Sequence, residues 1–163
     1  MAAQQALRNM MEAYIHTKRE MCAIHNGPYD CVMTMEAHMP DGRIAVGLVL
    51  SREDITPLCA AAREQGAQRV LFAAEAHVRT STLAEALAAR SGDVAKAFHD
   101  GDPSVVEWII VQAFDAVGLP LVPVLTVDVG YDDEGQPTFG EVVERPLAPL
   151  ESSIQTMVRE AMR

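Results

Sequence analysis

Cys31 to Met39 reads CVMTMEAHM, an alternation with a period of two. On a strand, Cys31, Met33, Met35, Ala37 and Met39 share one face, while Val32, Thr34, Glu36 and His38 share the other. Pro40-Asp41-Gly42 is a turn signal, and Arg43 to Leu50 (RIAVGLVL) follows as an unbroken apolar run. Such a run marks a strand covered on both faces, so the two segments form a hairpin. Ser51 then starts a helix, with Asp54 three residues on in capping-box spacing. Ile55, Leu58, Cys59 and Ala62 make its apolar stripe, and Gly66 closes it. The next strand is Arg69 to Val78 (RVLFAAEAHV). A helix joining two strands is a crossover, so the second and third strands run parallel if they share a sheet. The first and third then run oppositely. Residues 31–78 are thus a hairpin–helix–strand unit.

The rest of the chain has to complete that sheet. Residues 3–24 read as an amphipathic helix with Leu7, Met10, Met11, Tyr14, Ile15 and Met21 at helical spacing. Arg8, Glu12, Lys18, Arg19 and Glu20 fall to its polar side, and Asn26-Gly27-Pro28 ends it. Residues 79–102 read as a variable loop and helix: Thr82 and Glu85 form a capping box before Leu83, Leu87 and Ala88, and Ser91-Gly92 and Asp100 to Pro103 read as loop. Residues 104–117 are read two ways. Asp102 before Pro103 and Gly118 before Pro120 are helix boundaries, whereas the Val, Trp, Ile and Phe content favours a strand, which is the reading taken. Leu121 to Tyr131 is a strand whose Pro123 marks an edge or bulge. Asp132 to Gly135 turns the chain and Thr138 to Glu144 returns, so 104–144 is a meander. Pro146 and Pro149 precede a final helix, 150–162, with a stripe of Leu150, Ile154, Met157, Val158, Ala161 and Met162. That stripe needs a cover, from the first helix or from a second subunit.

The fold class expected is α+β: one domain over 1–163, a mainly antiparallel sheet of five to six strands, a crossover helix, and N- and C-terminal helices. A length of 163 residues suits one domain with its own core. The formal net charge of −10, with 13 scattered basic residues, excludes a nucleic-acid partner, which requires a basic patch. No run reaches the ~18 to 20 apolar residues of a membrane span, and MAAQQALRNMMEAY lacks the regions of a signal peptide. Cys22, Cys31 and Cys59 are odd in number and show no CxxC spacing, as expected of reduced thiols in the cytoplasm. Arginine far outnumbers Lys18 and Lys96 among the basic residues, which fits a GC-rich bacterial or phage source. No Gly-rich phosphate loop, GxGxxG, GxSxG or HExxH occurs, which argues against nucleotide hydrolysis, Rossmann redox chemistry and the serine-hydrolase and zincin mechanisms.

One constellation carries chemistry. Glu36-Ala37-His38 and Glu75-Ala76-His77 each place a carboxylate beside an imidazole on one strand face. Such pairs serve as zinc ligands or as an acid/base couple. Strand direction works against a joint site. With the first and third strands antiparallel, the pairs lie about four residues apart, roughly 13 Å at ~3.3 Å per residue. The competing reading is ordinary polar strand ends. Cys31 and Cys59 fall on apolar faces and read as core; Cys22 and His25 have a ligand spacing but are only two groups. His16 and His99 read as solvent-facing, and Asp132-Asp133-Glu134 as a hairpin turn without the spaced ligands of a calcium loop.

The strand VLFAAEAHV, the Asp-Pro loop, and the meander through FDAVG and YDDEGQPTFGE resemble an uncharacterised bacterial and phage α+β family. The resemblance spans the central and C-terminal two-thirds of the chain and implies the meander, with no catalytic residue. Two functions are therefore carried forward. One is a non-catalytic accessory protein, without a cofactor, that forms a homo-oligomer or binds a protein partner through its terminal helices. The other is a small hydrolase holding a divalent metal with Glu36, His38, Glu75 or His77.

Overall fold

A computed structural model of the chain describes residues 2–79, 93–145 and 153–163. It begins with α1 (Ala2–His25), then the hairpin β1 (Met33–His38) and β2 (Ile44–Val49). A 3-10 turn at Arg52–Asp54 leads into α2 (Ile55–Glu64), followed by β3 (Arg69–Arg79), α3 (Asp93–His99) and β4 (Val105–Asp115). The chain continues through β5 (Val124–Tyr131), β6 (Pro137–Phe139), β7 (Val143–Arg145) and α4 (Ser153–Met162). The strands form one antiparallel sheet in the order β2-β1-β3-β4-β5-β6, with β7 pairing β5 alongside β6. The class is α+β, as the sequence reads.

The crossover stands as expected. β1 lies antiparallel between β2 and β3, so the strands joined by α2 run parallel with β1 between them. Residues 104–117 are strand rather than helix. Val105, Glu107, Ile109, Val111 and Ala113 are buried at a period of two, which only a strand turns to one side. The expected return strand 138–144 is instead two short ones. Between them Gly140 donates its N–H to Asp128 O at 3.0 Å, where an added Cβ would meet Asp128 at 3.5 Å. This split brings the sheet to seven strands. β5 starts at Val124, just beyond Pro123, whose missing N–H suits the strand boundary. Helix α3 falls where the sequence suggested loop. It carries Asp93 in its first turn and Lys96 and His99 in its last, matching the helix dipole. The expected capping box at Thr82 and Glu85, and Leu150, lie outside the described residues.

Two cores flank the sheet. On one side Leu7, Met10, Met11 and Tyr14 of α1 pack on Leu71, Ile109, Leu125 and Val127. On the other, Ile55 and Cys59 of α2 and Val158 and Met162 of α4 pack on Met35, Val70, Phe72 and Phe114. The stripe of α4 is therefore covered by the sheet and by α2, not by α1. Of the methionines expected to meet a partner, Met10, Met11 and Met162 are buried, and Met157 is half-buried against the α2 side core.

A further correction concerns β2. RIAVGLVL reads as covered on both faces, but β2 is an edge strand and α1 lies across β3 to β6 instead. Val49 is buried against the α2 side, while Ile44, Val46 and Leu48 are 53, 69 and 61% exposed on the other. Cys31 also departs from its expected face. It precedes the first paired residue of β1 and packs with the α1 core, while Met33 packs on the opposite one.

Candidate functional site

The described structure does not bring the two Glu-x-His pairs together. Glu36 lies opposite Leu71, four residues before Glu75 on β3, so the separation inferred from strand direction holds. Glu36 and His38 instead pair with each other, Oε2 to Nε2 at 2.9 Å. Arg69 Nε donates to His38 Nδ1 at 3.3 Å. A guanidinium N–H can only donate, so Nδ1 accepts and Nε2 carries the proton to Glu36. Both ring nitrogens are thus engaged, beside a fixed positive charge.

Glu75 belongs to a different arrangement, centred on a residue the sequence reading put on the polar side of α1. Lys18 is fully buried. Its Nζ lies 2.5 Å from Glu75 Oε1 and 3.3 Å from Glu107 Oε1, and donates to Tyr29 O at 2.7 Å. Tyr131 donates its hydroxyl to Glu107 Oε2 at 3.2 Å, and the Cys31 N–H donates to Glu75 Oε2 at 3.0 Å. Tyr14 donates to Cys31 O at 3.1 Å. The network thereby fastens α1, the 29–31 connection, β3, β4 and β5 to one another.

Lys18 and Glu107, the two charged members that the sequence reading did not single out, could have been found in the sequence. Leu7, Met11, Tyr14, Lys18 and Cys22 follow helical spacing, so Lys18 stands on the apolar stripe. Glu107 falls in phase with Val105, Ile109 and Val111 of β4. Each is a polar residue at a position whose neighbours in the period are core.

Burial opposes the lysine charge, but hydrogen bonds to Glu75 and Tyr131 and both carboxylates outweigh it, holding Lys18 above the ordinary lysine value. Burial pushes the Glu75 carboxyl above the usual carboxylate range, against the opposing pull of Lys18. Burial also pushes the Tyr131 hydroxyl up to about 12 and the Cys31 thiol up to about 11. A thiol so far from ionising is a poor nucleophile at neutral pH.

Asp30, Glu75 and Glu107 offer carboxylate oxygens within 4.8 Å of one another, the grouping a cation would want. That cage does not fit a metal ion. The Lys18 ammonium already lies against two of its three carboxylates, so a dication would be set against a buried positive charge. His77 stands aside, stacked on Phe98 at 4.2 Å between ring centroids, with exposed His99 edge-on at 5.7 Å. Glu75 and His77 do share the wall of a cleft of about 470 Å³ with Arg52 and Gln112. Cys22 and Cys59 are buried free thiols, and His16 pairs with Glu20 at 3.2 Å on the surface. Asp132 Oδ1 accepts the N–H groups of Glu134 and Gln136 at 2.9 Å, the hairpin turn expected there.

A second cleft, of about 310 Å³, opens between α1 and the uncovered end of the sheet. Met10, Tyr14 and Met21 wall it from the helix, and Val32, Val46 and Leu48 floor it. Val46 and Leu48 belong both to this cleft and to the exposed row on β2. Among the described residues no helix is long and apolar enough to cross a membrane. No family model, characterised protein or solved structure matches this chain.

Proposed function

We propose that this chain is a non-catalytic accessory protein that works by self-association, and that its contact lies on the β2 end of the sheet rather than on the terminal helices. The observation that carries the reading is the row Ile44, Val46, Leu48 and Leu50, between 53 and 78% exposed on successive outward positions. Isolated exposed aliphatics are ordinary, but a contiguous row beside an apolar cleft marks an interaction surface. The terminal-helix methionines have their cover within the chain, which moves the contact away from them. Three free cysteines are consistent with a reducing, cytoplasmic setting.

Covering the row on two copies removes on the order of 10 kcal/mol of apolar exposure, taking ~1.5–3 kcal/mol per fully buried aliphatic. Association itself costs an estimated ~4–15 kcal/mol. The balance predicts a concentration-dependent oligomer rather than a permanent one. Sedimentation velocity across a concentration series tests this. The wild type is expected to shift from monomer to oligomer with concentration, and Val46→Lys to stay monomeric with an unchanged circular dichroism spectrum. A wild type that is monomeric at every concentration overturns the reading.

A further inference from the structure

The hydrogen-bond phase of the hairpin determines which backbone groups of β2 are free. Met39 donates its N–H to Arg43 O at 2.9 Å, so this is a bonded pair. Bonded and non-bonded pairs alternate, so Ala37/Ala45, Met35/Gly47 and Met33/Val49 are bonded as well. The N–H and C=O groups of Ile44, Val46 and Leu48 therefore point away from β1, along the free edge of the sheet. The residues with uncovered side chains are thus also the residues with unpaired backbone.

We propose that a second copy of this chain pairs antiparallel with β2 about a two-fold axis through Gly47, joining two sheets into one. This rests on the self-association reading above and specifies its contact. About that axis Val46 lies opposite Leu48 and Ile44 opposite Leu50, so each outward aliphatic meets another of its kind. Val46 and Leu48 are in bonded phase and exchange N–H and C=O in both directions. Gly47 faces Gly47, where the strands approach most closely and no Cβ intervenes. The ladder ends at Leu50, whose N–H already bonds Asp54 Oδ2 at 3.1 Å.

The occupant follows from this symmetry and from charge. A two-fold contact requires a surface complementary to itself, and this row is aliphatic on both sides of its centre. Residues 44–51 contain no charge and no proline, the devices that commonly block a sheet edge. In a chain of net charge −10, this neutral stretch keeps like charges out of the contact itself.

Proline and cysteine substitutions in the full chain test the pairing. The Val46 N–H makes no bond to β1, so Val46→Pro spares the hairpin while removing a donor from the new ladder and keeping the site apolar. Val46→Pro is expected to abolish the dimer, with an unchanged circular dichroism spectrum. In Gly47→Cys the added Cβ meets only Leu58, at 3.5 Å. Two such cysteines face each other across the axis within disulfide reach, and mild oxidation is expected to give a covalent dimer roughly tenfold or more faster than Ala45→Cys, whose copies are offset. The wild type, with its own three cysteines, is the control for both. If Val46→Pro still dimerises while Val46→Lys does not, the contact is the apolar face and not the edge, which overturns this inference and leaves self-association standing. Equal cross-linking of Ala45→Cys and Gly47→Cys overturns the register. A monomeric wild type overturns both readings. Should Val46→Pro unfold, the cysteine pair decides.

Discussion

Lys18→Met removes the ammonium from beneath α1 while keeping most of the aliphatic stem. Two carboxylates then remain without their counter-charge, on Glu75 and Glu107 side chains that are 9 and 2% exposed. Removing one partner from a buried pair costs about 3–5 kcal/mol, a large share of the ~5–15 kcal/mol that holds a domain together. With a urea dependence of ~1–3 kcal/mol per molar, the midpoint of unfolding is expected to fall by roughly 2 M. The pH dependence gives the cause. Burial already raises Glu75, and Lys18 is what holds it down, so the variant raises it further. A carboxyl with a folded-state pKa above its unfolded value binds its proton more tightly when folded. Stability then falls as pH rises from the unfolded value of ~4.3 through the folded one. The deficit of Lys18→Met should therefore be full at pH 7 and shrink towards pH 4, where the Glu75 carboxyl takes up its proton. Adding Glu75→Gln and Glu107→Gln should recover part of the loss at pH 7. A deficit below about 1 kcal/mol at pH 7 would refute the assignment of Lys18 as the counter-ion, and so would a deficit unchanged by acid.

Gly118 has a φ of +81°, and a Cβ there would lie 2.6 Å from Arg159 Cα and 2.8 Å from Val158 O. Because the obstacle is the backbone of α4, Gly118→Ala should cost about 2–4 kcal/mol and loosen α4 in hydrogen exchange. Gly66→Ala, at φ +79° with nothing within 4 Å, should cost only about 1 kcal/mol by backbone strain. Equal losses in urea unfolding would contradict the close approach. Alkaline stability follows from groups that burial raises: the Cys31 and Cys59 thiols to about 11 and the Tyr131 hydroxyl to about 12. Each has a folded pKa above its unfolded one, so its contribution is complete below about pH 8.5 for the thiols and about pH 10 for the hydroxyl. That contribution should be lost as pH rises through 11 and 12, and the tyrosinate absorbance of Tyr131, read as the difference from a Tyr131→Phe variant, should appear together with unfolding; Tyr131 ionising near pH 10 in the folded state would refute it.

The hairpin, the crossover and the separation of the two Glu-x-His pairs were legible because they rest on period and direction, which are local properties of the chain. The same is true of residues 104–117, where alternation of burial prevails over good helix-boundary signals. What escaped is the charge network. Lys18 was sorted by residue type and Glu107 was passed over, although their positions in the period assign them to the core. A buried polar residue is tolerated only with a partner, and the partner lies 89 residues away in the chain, on a strand that local pattern does not connect to the helix. Helix α3 escaped for a related reason. It is too short to show an apolar stripe, and its packing of Phe98 on His77 is a tertiary contact.

The departure at β2 is of another kind. An unbroken apolar run implies burial on both faces because each exposed aliphatic forgoes about 1.5–3 kcal/mol. Elsewhere the pattern and the burial agree: Val70, Leu71, Phe72 and Ala73 of β3 form such a run and are buried on both sides. In β2 the same pattern meets a cover on one side only. Among the described strands, local composition and the fold of one chain disagree most at β2, whose backbone is also unpaired on its outer side. A second copy paired as proposed would remove both anomalies together, by pairing Val46 with Leu48 and continuing the apolar floor across the axis. A free ligand in the neighbouring cleft would cover side chains but leave the Ile44, Val46 and Leu48 amides unpaired. The edge therefore discriminates between the two, and an extended strand is the occupant that would satisfy both its side chains and its amides.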